Sequence, residues 1–252
     1  MIRATVGILA GVGGGFDADY QAVLDYATTQ GYTLPSASQQ ALQNQLVVDL
    51  KDAGVWSKLD TFYVFATDGD SDFASINFKD PNNYEITEVN SPTFTPDVGF
   101  TGNGVSAYLD PSYNQGTDGV NWSNPNGSFG VWVDTAATVD QHPYVGYTQL
   151  NSTLRRGGIK DINTLVVTVS GDVNDTFMHI NINPTNSELF YNGSSQATQT
   201  GTFSNAGSMT FLSEGGTIRF SNATISIGFF GGDLSSEQSD FYTAVNSYMT
   251  AI

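Results

Sequence analysis

The feature that most constrains this chain is a long succession of short β-prone runs punctuated by turn dipeptides. Aromatic and β-branched residues cluster at 61–66 (TFYVFA), 73–78, 104–109, 128–133, 165–169, 177–182, 188–191, 208–212, 217–220 and 223–230. Between them stand Asp68-Gly69, Asn103-Gly104, Asp118-Gly119 and Asn192-Gly193. Such pairs tolerate the positive φ angles of tight turns. Many short strands joined in this way predict an antiparallel sandwich or barrel. Alternation is clearest at 177–182. Met178, Ile180 and Ile182 fall on one side of that strand, His179 and Asn181 on the other.

Helical periodicity brackets the β region. At 16–32, Asp17 can cap an N-terminus, Tyr20, Val23, Leu24 and Ala27 share one face, and Gly31 suits the stop. Ser36 and Gln39 form a capping-box pattern. Leu42, Leu46, Leu50 and Ala53 then repeat along one stripe up to Gly54. Near the end, Ser235 and Gln238 repeat the pattern, and Phe241, Val245, Met249 and Ile252 recur every three to four residues. That terminal stripe is expected to pack on the parent domain. The chain thus divides into a Gly-rich anchoring segment at 1–15, a helical base at 16–56, and a sandwich at 57–252 that carries a helix at 235–252. Residues 2–9 read as an extended anchoring strand, or as a tail, ahead of the hinge at Gly11 and Gly13 to Gly15.

Composition narrows the function classes. The 252 residues include 8 Lys+Arg against 25 Asp+Glu, a formal charge of -17. A phosphate-binding surface needs clustered Lys and Arg, so nucleic acid and anionic membranes are excluded as partners. With 0 Cys there is no disulfide or thiol chemistry. The apolar run at 6–12 is too short for a signal peptide core. A membrane span needs about 20 apolar residues, and no segment offers them. The N-x-S/T triplets at Asn121, Asn126, Asn151, Asn174, Asn192 and Asn222 are what chance gives in so Asn-rich a chain.

Several segments in order carry a family likeness. Leu46 to Trp56 (LVVDLKDAGVW) leads into Lys58 to Phe65 (KLDTFYVF), then Ile76 to Pro81 (INFKDP), Pro92-Thr93-Phe94-Thr95, Gly99 to Gly104 (GFTGNG) and Tyr108-Leu109-Asp110. Ser128 to Trp132 (SFGVW), Leu189 to Gly193 (LFYNG) and Leu234 to Gln238 (LSSEQ) follow. This order is similar to bacteriophage virion proteins with a concanavalin A-like jelly-roll, over roughly residues 17–252. The resemblance implies a mainly β, antiparallel two-sheet jelly-roll sandwich with a small N-terminal helical pair and a C-terminal helix. It implies a non-enzymatic structural or adhesion role on the particle surface, in a head or tail fibre, spike or decoration protein. Residues 1–15 would then contact other virion proteins. A homo-oligomer is expected, with a trimer favoured because such appendages are commonly threefold. The alternative is a soluble lectin or divergent glycanase.

Glycosidases of this fold resemble one another in carrying Glu-x-Asp-x-x-Glu or Glu-x-Asp-x-Glu on one strand. The glutamates Glu85, Glu88, Glu188, Glu214 and Glu237 have no such spacing. His142 and His179 sit in no nucleophile pattern. His142 reads as a solvated loop residue and His179 as making a cross-strand hydrogen bond. Asp68, Asp70 and Asp72 alternate in a way that suits hard oxygen coordination of Ca²⁺. Phe73 and Lys79 stand where an EF-hand needs Gly and Glu, so the stretch is either a looser Ca²⁺ site or a solvated acidic turn. No other cofactor is expected. A sugar site needs an aromatic platform beside amides and carboxylates, and Tyr113, Asn114, Asp118, Trp122 and Asn124 have that composition. A host-surface glycan is the ligand they would meet, and core packing is the other reading of Trp122. Arg155-Arg156 is the one basic pair.

Overall fold

Alternation along the central strands builds a sheet with two apolar faces, and the rest of the fold covers both. The computed structural model describes residues 15–138, 143–146, 173–200 and 208–252. In chain order these form α1 (Ala18–Gln30), α2 (Ala37–Asp52), a 3-10 turn (Trp56–Lys58), β1 (Leu59–Val64) and α3 (Ser71–Ala74). There follow β2 (Thr87–Val89), β3 (Thr93–Thr95), β4 (Gly99–Thr101), β5 (Tyr108–Asn114), β6 (Gly127–Thr135) and β7 (Val145–Gly146). The series closes with β8 (Thr176–Ile182), β9 (Asn186–Tyr191), β10 (Ser194–Thr200), β11 (Ser208–Phe211), β12 (Thr224–Gly231) and α4 (Gln238–Met249).

The large sheet runs β10-β9-β8-β6-β12-β4-β3, and β1 pairs with β12 beside β4. The small sheet runs β2-β5-β11-β7. Every strand pair is antiparallel. The protein is therefore mainly β, a two-sheet antiparallel jelly-roll sandwich with helices at its N- and C-terminal ends. No helix among the described residues is long and apolar enough to cross a membrane.

Between the sheets lies a core that includes Tyr63, Phe65, Phe100, Leu109, Phe129, Met178, Ile180, Phe211 and Phe230. The opposite face of the large sheet offers Phe62, Val64, Trp132, Phe177, Ile227 and Phe229 to α1, α2 and α4. Those helices answer with Tyr20, Val23, Leu46, Leu50, Phe241, Val245 and Tyr248. As a result β8 and β12 are buried along their whole length. Ile225 faces one core and Ile227, two residues on, faces the other. The register shift between them is the bulge that permits this reversal. A buried amide ties the helices together. Gln43 accepts from the Tyr20 hydroxyl at 2.8 Å and donates to Thr67 and Tyr248 at 3.1 and 3.3 Å.

Several sequence expectations need correction. The Ser36 hydroxyl accepts from the Gln39 N–H, but the reciprocal half of the box is absent. Asp68 accepts the Ser36 N–H instead, while Gln39 turns inward to Thr67 and Asp97. At the C-terminal helix no capping box forms. Ser235 donates its N–H to Asp233, and α4 begins only at Gln238. The run at 73–78 is not a strand, because Asp70 caps Phe73 and starts the short turn of α3. The run at 104–109 stays a turn until Tyr108, because the Asn103 carboxamide oxygen collects the N–H groups of Val105, Ser106 and Ala107. At 217–220 only one isolated bridge, Glu214 to Ile218, survives. The strand expected at 165–169 and the anchoring segment up to residue 14 lie outside the described residues. The Asn192-Gly193 turn is as expected: both residues have positive φ, 48° and 73°, and they close the β9–β10 hairpin.

Candidate functional site

Asp60 organises a polar concavity of the sandwich. It sits near the start of β1, where Leu59 packs into the helix-side core and the next residue turns towards the rim of the other. Its carboxylate accepts from the Tyr113 hydroxyl at 2.8 Å and from the N–H groups of Val120, Asn121 and Trp122 at 3.3, 2.7 and 3.0 Å. Asn121 returns a bond from its side-chain amide to the Leu59 carbonyl at 3.0 Å. One carboxylate thus pins the loop after β5 onto β1. Charged acceptors make the stronger class of hydrogen bond, so this clamp fixes the loop's position.

The pinned loop and the segment after Phe78 enclose a cleft of about 380 Å³. It is lined by Leu59 and Asp60 from β1, by Lys79, Asp80, Asn83 and Tyr84 from the segment after Phe78, and by Asp118, Val120 and Asn121 from the pinned loop. Val120 is 88% exposed, an apolar side chain held in water at the mouth. Tyr84 adopts φ 61°, a left-handed conformation rare for a bulky residue. Its ring meets Tyr113 edge to face at 5.3 Å, and its carbonyl accepts the Tyr63 hydroxyl at 2.6 Å. Burial, then the nearby Asp118, Asp60 and Asp80 charges, raise the Tyr84 phenol, so it stays protonated and able to donate. The Lys79 ammonium donates to the Trp56 carbonyl at 2.7 Å and lies 4.4 Å over the indole. Burial lowers its pKa. The cleft therefore combines an aromatic wall, an aliphatic lip, carboxylate acceptors, amides and a phenol donor. That set can grip a hydroxyl-rich ligand.

Of the five residues read from the sequence as a sugar site, only Asp118 lines this cleft. Tyr113 is fully buried and stacked on Phe230 at 5.3 Å. Trp122 is 4% exposed and stacks on Phe129 at 6.2 Å. A Cβ on Gly127 would lie 2.4 Å from the Trp122 ring, so the glycine makes room for it. Neither ring is free to act as a platform: alternation along β5 turns Tyr113 inward, and Asp60 holds the Trp122 backbone. Asn114 donates its N–H to Asp118 at 2.9 Å and accepts from Gly116, while Asn124 is exposed. Sequence reasoning missed Asp60, Lys79, Asp80, Asn83, Tyr84, Val120 and Asn121. The available signal was an aromatic residue inside a polar loop, Asn82-Asn83-Tyr84.

The proposed Ca²⁺ ligands have other work. Asp68 accepts the Ser36 N–H, and Asp70 caps α3 and accepts the Thr33 N–H at 2.7 Å. Asp72 lies in the first turn of α3. Among the described residues no three His, Cys, Asp or Glu side chains gather so as to hold a metal ion. Among the described residues His179 makes no cross-strand hydrogen bond: neither ring nitrogen has a partner there. It is fully buried, stacked on Phe190 at 4.8 Å, with Phe177, Phe229 and Phe241 around it. Glu85 is held by the Tyr26 and Tyr32 hydroxyls, each at 2.8 Å. His142, Arg155 and Arg156 lie outside the described residues.

No protein-family model and no curated protein sequence matches this chain. Solved structures overlap it in part. A Trypanosoma rangeli sialidase mutant displaying trans-sialidase activity is 11% identical, with a TM-score of 0.48 over 84% of this chain and 40% of its own. The botulinum neurotoxin serotype D binding domain is 12% identical, with a TM-score of 0.44 over 76% and 52%. The serotype D ligand binding domain in complex with N-acetylneuraminic acid is 12% identical, with a TM-score of 0.42 over 77% and 52%. This chain thus spans 40% to 52% of the chains to which it is compared. At such identities and TM-scores the likeness carries no functional argument.

Proposed function

We propose that this chain is a non-enzymatic display and adhesion module of a bacteriophage particle, and that the Asp60–Tyr84–Asp118 cleft receives a glycan of the host surface. The observation that carries the reading is the convergence of three separate chain segments on one cleft with mixed polar, aromatic and aliphatic lining. Sugars present just that mixture, with hydroxyls around a ring whose faces are apolar. The net charge of -17 would keep neighbouring copies apart on a crowded particle. Residues 1–15 would hold the module to its neighbours.

A glycan array with the full chain tests the ligand. Binding to a defined set of glycans is expected, and it should be lost in Tyr84→Asn and Val120→Glu. Asn keeps the left-handed backbone and removes the ring. Glu at an exposed lip adds charge without a folding cost. An array with no signal, or signal unchanged in both variants, would remove the cleft from the account. Particle attachment is separable: deletion of residues 1–15 should abolish incorporation and leave folding intact.

A further inference from the structure

An open sheet edge presents a row of N–H and C=O groups, and folds normally blunt it with Pro, charge, shortness or a cover. Most described edges here are blunted. β3 is 3 residues long and lies between Pro92 and Pro96. β2 is also 3 residues long and carries Glu88. Phe62, in β1, donates its N–H to the Asn77 side chain at 3.0 Å and accepts from the Phe78 N–H at 2.8 Å, so a passing segment covers that edge. β7 has only 2 residues.

Among the described residues β10 has none of these devices along most of its length. It is 7 residues long, reads SSQATQT, and contains neither charge nor Pro. Among the described residues it pairs with β9 alone. Ser194, Ser195, Gln196, Thr198 and Thr200 are exposed. The one irregularity, between Ser195 and Ala197, sits at the hairpin end and leaves 197–200 in regular register with β9. In this acidic chain no charged residue occurs between Glu188 and Glu214.

We infer that β10 is a self-association edge, on which a second copy of this chain lays its own β10 antiparallel and extends the large sheet across a two-fold axis. Charge selects the occupant. Two copies at -17 repel wherever their acidic surfaces meet. At β10 contact brings no carboxylate opposite another. Antiparallel pairing of identical strands is self-complementary and closed, and it sets Thr and Ser side chains across from one another. The assembly is then a dimer and not the trimer expected from the sequence.

Light scattering after size exclusion on the full chain, over a dilution series, reads this directly. About twice the 26.9 kDa chain mass is expected. T198K/T200K should fall to the single-chain mass with unchanged circular dichroism and Tm. Mixing it with T198E/T200E should restore the doubled mass, because opposite charges then face each other. If T198K/T200K does not fold, T198E/T200E alone gives the same reading. A wild-type chain of single or tripled mass, or a dimer that persists in a folded charged variant, overturns the inference.

Discussion

The two faces of the large sheet are equally buried but differently made. The inter-sheet face is closed by another sheet, and its rings interlock: Phe211 stacks on Phe230 at 5.0 Å and meets Phe65 and Tyr63 edge to face at 5.6 and 5.8 Å. The helix-covered face is closed by α1, α2 and α4. It contains groups that usually avoid such places, including an uncharged histidine, His179, and a tryptophan, Trp132, whose indole N–H has no partner among the described residues. The helix-covered face is closed by elements from both ends of the sequence, and its rings enclose these polar groups.

The largest test of this contrast removes one ring from each face. Phe211→Ala and Phe241→Ala should each cost about 3–5 kcal/mol, the range for losing a buried Phe. The consequences should differ. Phe241 touches Phe177 and Phe229 at 4.9 and 4.8 Å, so its loss should free α4 first. Hydrogen exchange should rise in 238–249 before the strands open. Phe211→Ala should instead speed exchange across both sheets at once.

A comparable effect lies in pH. Burial lowers the pKa of His179 from 6.5 to about 3. Between those values the unfolded chain holds a proton that the folded chain refuses. Stability should therefore fall as pH drops below about 6.5 and stop falling on this account near 3. At about 1.4 kcal/mol per pH unit, the loss is on the order of 5 kcal/mol over the window. Urea titrations of wild type and His179→Phe at several pH values isolate it from the carboxylates. The two curves should converge at neutral pH and part in acid. Parallel curves would mean that His179 is solvated.

Much of this architecture was legible in the sequence. Met178, Ile180 and Ile182 announced the inter-sheet face, and Asn192-Gly193 announced its hairpin. Tyr20, Val23, Leu24 and Ala27 gave the buried stripe of α1. What alternation cannot say is what covers the second face. His179 and Asn181 read as the polar side of the strand, with a cross-strand hydrogen bond for His179, yet both are buried and His179 lies against Phe241 of α4. The candidate site was less legible for a related reason. Tyr113 and Trp122 have the composition of a platform, but strand parity and the Asp60 clamp turn both into core. Asp60 and Tyr84 act through contacts more than twenty residues away in sequence, which no local pattern records.

Two smaller changes sharpen the helix-covered side. Gln43→Leu leaves the Tyr20 hydroxyl buried without its acceptor and should cost about 2 kcal/mol by chemical denaturation. Ser36→Ala removes one acceptor at the start of α2 and should cost about 1 kcal/mol or less, because Asp68 still holds the Ser36 N–H.

Calorimetric titration of an array-selected glycan into the full chain, with mass spectrometry of the same sugar afterwards, asks whether the proposed cleft binds a glycan and leaves it intact. Saturable heat, absent in Tyr84→Asn, and a glycan recovered unchanged are expected. Cleaved sugar, or equal heat from the Tyr84→Asn variant, would contradict the proposal.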